Sequence, residues 1–245
     1  MVGIKNYLAT VAIALLSTFS YGQITSGKIT FERRTNLKKK FGDDERMKHL
    51  ITEENKIRME VFELYFDENN SLFKVVENDD DEKGFMSYTT QINTTYQDLQ
   101  KNEMRIILDL FGKNLYVKDS LQKRKWKVTE SKRNIGEYMC RKAIWKKNDS
   151  TRIYAWFSVD IVPSIGPEGF HGLPGAILGL ASEDGGIIYF AKSVEPIKPA
   201  ETELLTYSSK GKDVYSIKEL KIELEKKISG KPWGQRMLDD MFKWF

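Results

Sequence analysis

The sequence predicts a mainly β protein: a curved antiparallel sheet or incomplete barrel with a C-terminal α-helical segment. Three observations carry that prediction. Short runs of alternating apolar and polar residues recur at regular spacing, joined by turns rich in Asn, Asp and Gly, with no helical pattern between them. A Gly/Pro-rich corner, Gly172-Leu173-Pro174-Gly175, feeds a run without a polar face, Ala176-Ile177-Leu178-Gly179-Leu180. From Ile217 the apolar period changes from that of a strand to that of a helix.

In chain order, Ile29 and Phe31 alternate with polar neighbours and open the sheet within Gly27–Arg34. Asn36 to Asn55 is charged and poor in apolar residues, which reads as a solvated loop with a short helix at Asp44–Thr52. Lys38-Lys39-Lys40 makes a weak basic patch there, because acids follow closely. Lys56–Phe66 and Ser71–Glu77 flank the polar tetrad Asp67-Glu68-Asn69-Asn70, a hairpin pattern. Asn78–Gly84 is acidic but lacks the ligand order of an EF-hand, and reads as a solvated loop.

Strand patterns continue at Tyr88–Tyr96, Met104–Leu110, Asn114–Lys118 and Lys125–Glu130, the last with Trp126 and Val128 on one face. Met139–Lys146, Ile153–Val159, Ala176–Ala181 and Ile187–Val194 complete the sheet. The apolar run after the corner suits a central strand covered on both sides. Pro174 presets φ at the first central position of a type II turn, and Gly175 supplies the positive φ at the second. At the C-terminus Ile217, Leu220, Leu224 and Ile228 form one amphipathic helix, stopped by Gly230 and Pro232. Trp233 to Phe245 is an apolar end that packs on the sheet or plugs its open side.

The 245 residues divide into a signal peptide (1–22), an antiparallel β domain (23–200) and a helical tail (201–245). Lys5, the apolar run to Phe19, and small residues Ser20 and Gly22 before Gln23 form the signal-peptide pattern. This predicts export to the periplasm or beyond, and a mature chain that does not span the membrane. A single cysteine, Cys140, makes no internal disulfide and reads as a buried strand residue. The net charge of +4 is too small an excess to indicate nucleic acid.

Several blocks together resemble one family. They are Gly27-Lys28-Ile29-Thr30-Phe31, Ser71-Leu72-Phe73, Trp126-Lys127-Val128-Thr129, Ile135–Ala143, Ala155-Trp156-Phe157, Pro163 and Gly166-Pro167. The hexapeptide Gly172-Leu173-Pro174-Gly175-Ala176-Ile177 completes the series, with Ala176 in place of a leucine. The chain resembles the GLPGLI family of secreted Bacteroidetes proteins, over Gly27 to about Val194. The resemblance implies a Bacteroidetes periplasm or secreted space and, by analogy of fold, the half-barrels of periplasmic lipoprotein carriers. It implies no catalytic residues.

The residues themselves point to no reaction. His171 lies beside Glu168 and near Asp160, the only His–acid grouping of interest, but no metal-ligand spacing, nucleophile elbow or phosphate loop accompanies it. The expectation is a non-enzymatic binding or adaptor protein of the cell envelope, without cofactor or metal. Its ligand would be an apolar small molecule, lipid or peptide. The alternatives are an accessory partner of an outer-membrane receptor or transporter, and a hydrolase using His171 with Glu168 or Asp160. Glu168, Phe170, His171, Gly172, Leu173, Pro174 and Gly175 form the candidate ligand or partner surface.

Overall fold

In the computed structural model, the described residues are 22–245 apart from 43, 77–89, 91, 111–112, 149–150 and 205–211. The signal-peptide pattern up to residue 21 and the acidic loop 78–84 lie outside them.

Among the described residues twelve strands form one sheet. They are β1 (Gly27–Asn36), β2 (Ile57–Phe66), β3 (Asn70–Val75), β4 (Asn93–Asp98), β5 (Glu103–Leu110) and β6 (Lys113–Ser120), then β7 (Trp126–Ile135), β8 (Tyr138–Lys146), β9 (Arg152–Ser158), β10 (Ala176–Ser182), β11 (Ile187–Glu195) and β12 (Val214–Tyr215). Their order is β12-β6-β5-β4-β3-β2-β1-β11-β10-β9-β8-β7. Two meanders, β1–β6 and β7–β11, are thus joined side by side where β1 pairs with β11. All pairings are antiparallel except that of β12 with β6, and the sheet is not closed into a barrel. The polar tetrad at Asp67 makes the β2–β3 hairpin as expected: Asp67 Oδ1 accepts from the backbone of both Asn69 and Asn70.

The curvature follows from two contacts. A Cβ on Gly169 would lie 3.0 Å from Thr95 on β4, and one on Gly172 would lie 3.6 Å from Trp126 on β7. β4 and β7 are eight strand positions apart, about 38 Å in a flat sheet. Three residues span at most about 11 Å. The sheet therefore curls until both arms meet the segment between β9 and β10.

Helices are few. Asn36 caps α1 (Leu37–Phe41) by accepting from the Lys39 N–H. α2 spans Glu45–Lys48, within the short helix expected at Asp44–Thr52, whereas α1 lies in the stretch expected as loop; Leu37 and Ile51 are buried. The three lysines there are engaged internally: Lys38 with Glu53, Lys39 with the Asp184 carbonyl and Lys40 with Asp240 at 3.0 Å. They do not form a docking patch. α3 is Glu201–Leu204. α4 (Ile217–Ile228) has a complete capping box between Ser216 and Glu219, and buries Leu220 and Leu224. α5 (Gly234–Met241) follows the Gly230–Pro232 break.

The tail does both things expected of it. Leu220, Leu224, Leu238, Met241 and Phe242 pack against Met104, Ile106, Leu108 and Val117 of β5 and β6, while Trp244 enters the main core. No helix among the described residues is long and apolar enough to cross a membrane.

One local expectation holds and one changes. Trp126 and Val128 share a face in regular register with β8, as expected, but on this last strand Val128 is 38 % exposed; β7 carries extra residues relative to β8 between Val128 and Lys132. The corner is not a type II turn. Gly175 N–H donates to the Leu173 carbonyl at 2.8 Å, closing a γ-turn at Pro174, while Ala176 N–H goes to the Ile161 carbonyl at 2.9 Å. The positive φ of Gly175 stands, at 134°, and a Cβ there would meet the Ser158 carbonyl oxygen at 2.0 Å. All seven residues of β10 are buried, as a doubly covered strand requires.

Candidate functional site

The concave face is occupied by the chain itself. Between β9 and β10 the backbone crosses it, burying Ile161, Ile165, Phe170 and Leu173. Such a buried crossing needs partners for its peptide groups. Ile177 N–H donates to the Ile165 carbonyl, Phe170 N–H to the Pro167 carbonyl, and Gly172 N–H to Ser164 Oγ. Gln97 Nε2 and Arg124 Nη1 both donate to the Gly169 carbonyl, at 3.0 and 3.4 Å. Phe170 is wholly buried and lies against Trp126, Trp145 and Trp244, with ring centroids 6.1, 5.9 and 5.6 Å away. Arg124 sits 4.1 Å over the Phe170 ring and donates to the Trp244 carbonyl at 2.9 Å. Among the described residues this buried guanidinium has carbonyls and rings for company rather than a carboxylate, and burial pulls its pKa down to about 10.

Deeper in, one group of charged residues converges. Arg33 of β1 is 3 % exposed. Its Nε donates to Glu60 at 2.8 Å, its Nη1 donates to Tyr189 Oη at 3.2 Å, and Nη1 lies 3.7 Å from Glu168. Tyr189 Oη in turn donates to Glu168 Oε1, and Asn93 Nδ2 donates to Glu168 Oε2 at 3.4 Å. Glu60 also accepts from Arg58 Nε and Thr90 Oγ1. The guanidinium stacks on Phe62, 4.7 Å from the ring centre.

The two carboxylates are tuned in opposite directions. Burial would raise Glu60, but the Arg33 charge and hydrogen bond outweigh it and hold its pKa below the usual carboxylate range. At Glu168 burial dominates, and its pKa is raised despite Arg33, Tyr189 and Asn93. Burial also lowers Arg33, yet Tyr189, Glu60 and Glu168 outweigh that, so it stays charged. Glu168 pays a backbone cost to be there, with φ 54° and ψ 25° in the left-handed region, a conformation disfavoured by about 1–2 kcal/mol for a non-glycine residue.

Beside this group lies a cavity of about 20 Å³ lined by Arg33, Thr35, Lys40, Asn93, Asp240 and Trp244, among others. That is room for an occupant the size of water. Thr35 Oγ1 and Asn93 Oδ1 line it, with no hydrogen-bond partner among the described residues.

The candidate surface read from the sequence is largely interior. Glu168, Phe170, Leu173 and Gly175 are buried. Gly172 and Pro174 are exposed and His171 is half-buried. His171 and Glu168 do not form a pair. Glu168 faces Arg33 and Tyr189, whereas His171 is hydrogen-bonded to the Gln122 backbone. Burial and the Arg124 charge push His171 down to about 4. Asp160 is engaged by Ser158 Oγ at 3.0 Å. Among the described residues neither Glu168 nor Asp160 is hydrogen-bonded or ion-paired to His171.

Arg33, Glu60, Tyr189 and Arg124 were not anticipated. A signal for the first two exists. Ile29 and Phe31 face inward on β1, and the same parity continues to Arg33 and Thr35. Glu60 precedes Phe62, Leu64 and Phe66 in the same way on β2. An ionisable residue at an inward position of an alternating strand marks a buried charge, and two such strands paired side by side mark an ion pair.

No family model matches the chain, and no curated protein matches it. Among solved structures the chain is similar in fold to PNGF-II in two space groups. For the C2 form the identity is 18 %, with a TM-score of 0.52, covering 78 % of this chain and 30 % of that one. For the P21 form the values are 15 %, 0.55, 83 % and 34 %. The chain thus spans about a third of the length of PNGF-II.

Proposed function

We propose that the protein is a non-enzymatic binding or adaptor module of the cell envelope, exported by its N-terminal segment, and a member of the GLPGLI family. The observation that carries this reading is the filled concave face. A carrier holding a lipid or acyl chain would keep that face open. Here Phe170, Trp126, Trp145, Tyr189 and Trp244 fill it, with the tail bolted over them by Arg124 and by Lys147, whose Nζ donates to the carbonyls of Phe242 and Lys243. The converging carboxylates support a structural role for the Arg33 group. Both are buried and saturated by neighbours, beside a cavity too small for a substrate.

A rigid, self-filled sheet leaves the outer face and the strand edges for recognition, and favours a protein partner over a small ligand. An accessory role beside an outer-membrane receptor or transporter is the specific form of this reading. In-cell crosslinking tests it. Recovery of an envelope protein is the expected result, and recovery of none overturns the adaptor reading. Native mass spectrometry of the gently purified protein is expected to give the polypeptide mass alone. A co-purifying lipid would restore the carrier.

A further inference from the structure

The charge of the chain is concentrated in one place. Residues 123–147 hold ten basic and two acidic residues, a net +8. The rest of the chain holds 29 basic and 33 acidic residues, a net −4, so the modest overall +4 conceals a strongly polarised molecule. That stretch is the β7–β8 hairpin with its flanks, and β7 is the last strand of the sheet. The opposite edge, β6, is partly covered by β12, which pairs with Tyr116 and Val117. No strand of this chain covers β7 among the described residues.

Lys127, Glu130, Ser131, Lys132, Arg133 and Asn134 of β7 are exposed, as is Arg141 of β8. Among the described residues Lys127, Lys132, Arg133 and Arg141 form no ion pair, while Arg152 farther along the arm is already paired with Glu183 at 2.7 Å. The adjoining face carries a ladder of cations on rings. Arg133 lies 5.0 Å over Trp156, and Lys142 lies 4.0 Å over Tyr154 and 5.7 Å from Trp156.

We infer that β7 is a docking edge for an extended, acidic polypeptide segment of a partner protein, which adds to the sheet as a further strand. On either side of the bulge between Val128 and Lys132 the open edge supplies main-chain hydrogen bonds, and the flanking cations select carboxylate-bearing side chains. This rests on the adaptor reading and names the partner's chemistry. Lysines on an edge strand also serve to repel unwanted pairing, so the test must separate attraction of a strand from simple charge.

The probe is a fluorescein-labelled peptide of alternating Glu and Val, titrated with the purified protein at low ionic strength and read by anisotropy. Saturable binding is expected, weakening as salt is added. The Lys127→Glu/Lys132→Glu variant should weaken it about tenfold or more. Arg133→Gln/Arg141→Gln serves as a second variant if the first does not fold. Two further peptides carry N-methyl groups on alternate residues, one set blocking each edge of the strand. One of them should lose binding and the other keep it, because only one edge faces β7. Equal binding of both N-methylated peptides, binding unchanged in the variants, no binding at all, or tighter association with phosphatidylglycerol vesicles than with the peptide would each overturn the proposal. A protein that fails here but still crosslinks to an envelope partner loses the β7 assignment and keeps the adaptor reading.

Discussion

Replacing Arg33 with methionine is the most informative perturbation of the interior. The substitution keeps the apolar stem against Phe62 and removes the charge that faces Glu60 and Glu168. Both carboxylates are almost fully buried, so neither can turn to water. Removing one partner of a buried ion pair costs about 3–5 kcal/mol, a large fraction of a typical domain stability of about 5–15 kcal/mol. The pH dependence gives the sharper test. In the native protein Arg33 depresses Glu60, so Glu60 contributes stability above its unfolded pKa of 4.5, lost as the pH falls through the folded value. Without Arg33, Glu168 loses the main charge opposing its burial and rises further, while Glu60 keeps only Arg58 and Thr90 against burial, so the folded variant takes up a proton before the unfolded chain does. Its penalty then shrinks on acidification.

Guanidinium denaturation of both proteins at pH 7 and pH 5 is expected to show the gap narrowing at the lower pH. Glu60→Gln in the Arg33→Met background should recover part of the loss at pH 7. A penalty below about 1 kcal/mol, or one that does not change with pH, would refute the assignment of Arg33 as the clamp of the core.

Other expectations follow from the same interior. Trp244→Ala should cost about 3 kcal/mol or more by leaving a cavity beside Phe170, and should speed proteolysis near Gly230, as followed by limited digestion. His171 is held near 4, below its ordinary 6.5, so the unfolded chain binds a proton that the folded chain refuses, and stability falls as the pH drops from about 6.5 to about 4. His171→Gln should flatten that part of the stability–pH curve by about 1–2 kcal/mol after allowance for partial exposure, measured by thermal melts. Cys140 is fully buried and burial pushes its thiol up to about 11, so iodoacetamide at pH 8 should label the native protein far more slowly than the denatured one.

Much of the architecture was legible because it rests on local rules. Alternation located the strands from β1 to β11 to within a few residues, except β4, where the pattern begins before the described strand at Asn93, and β7, which runs on past Glu130 to Ile135. The apolar spacing of α4 and the break at Gly230–Pro232 identified the tail. The doubly covered β10 could be read from its lack of a polar face. The candidate site was less legible. Glu168 and His171 are near neighbours in sequence, and their separation in space depends on the left-handed conformation at Glu168 and on which arm of the sheet each meets.

What the amino-acid sequence determines here is period, turn chemistry and charge. These set a long antiparallel meander, the glycine at the Pro174–Gly175 corner, and the basic character of residues 123–147. Tertiary structure alone decides that the two meanders join through β1 and β11, that the sheet curls around its own β9–β10 segment, and that Arg33, Glu60, Glu168 and Tyr189 meet. The physical reason is range. A strand's period is written into neighbouring residues, whereas Arg33 and Tyr189 are 156 residues apart and are brought together only when burial of the aromatic core offsets the cost of closing that loop.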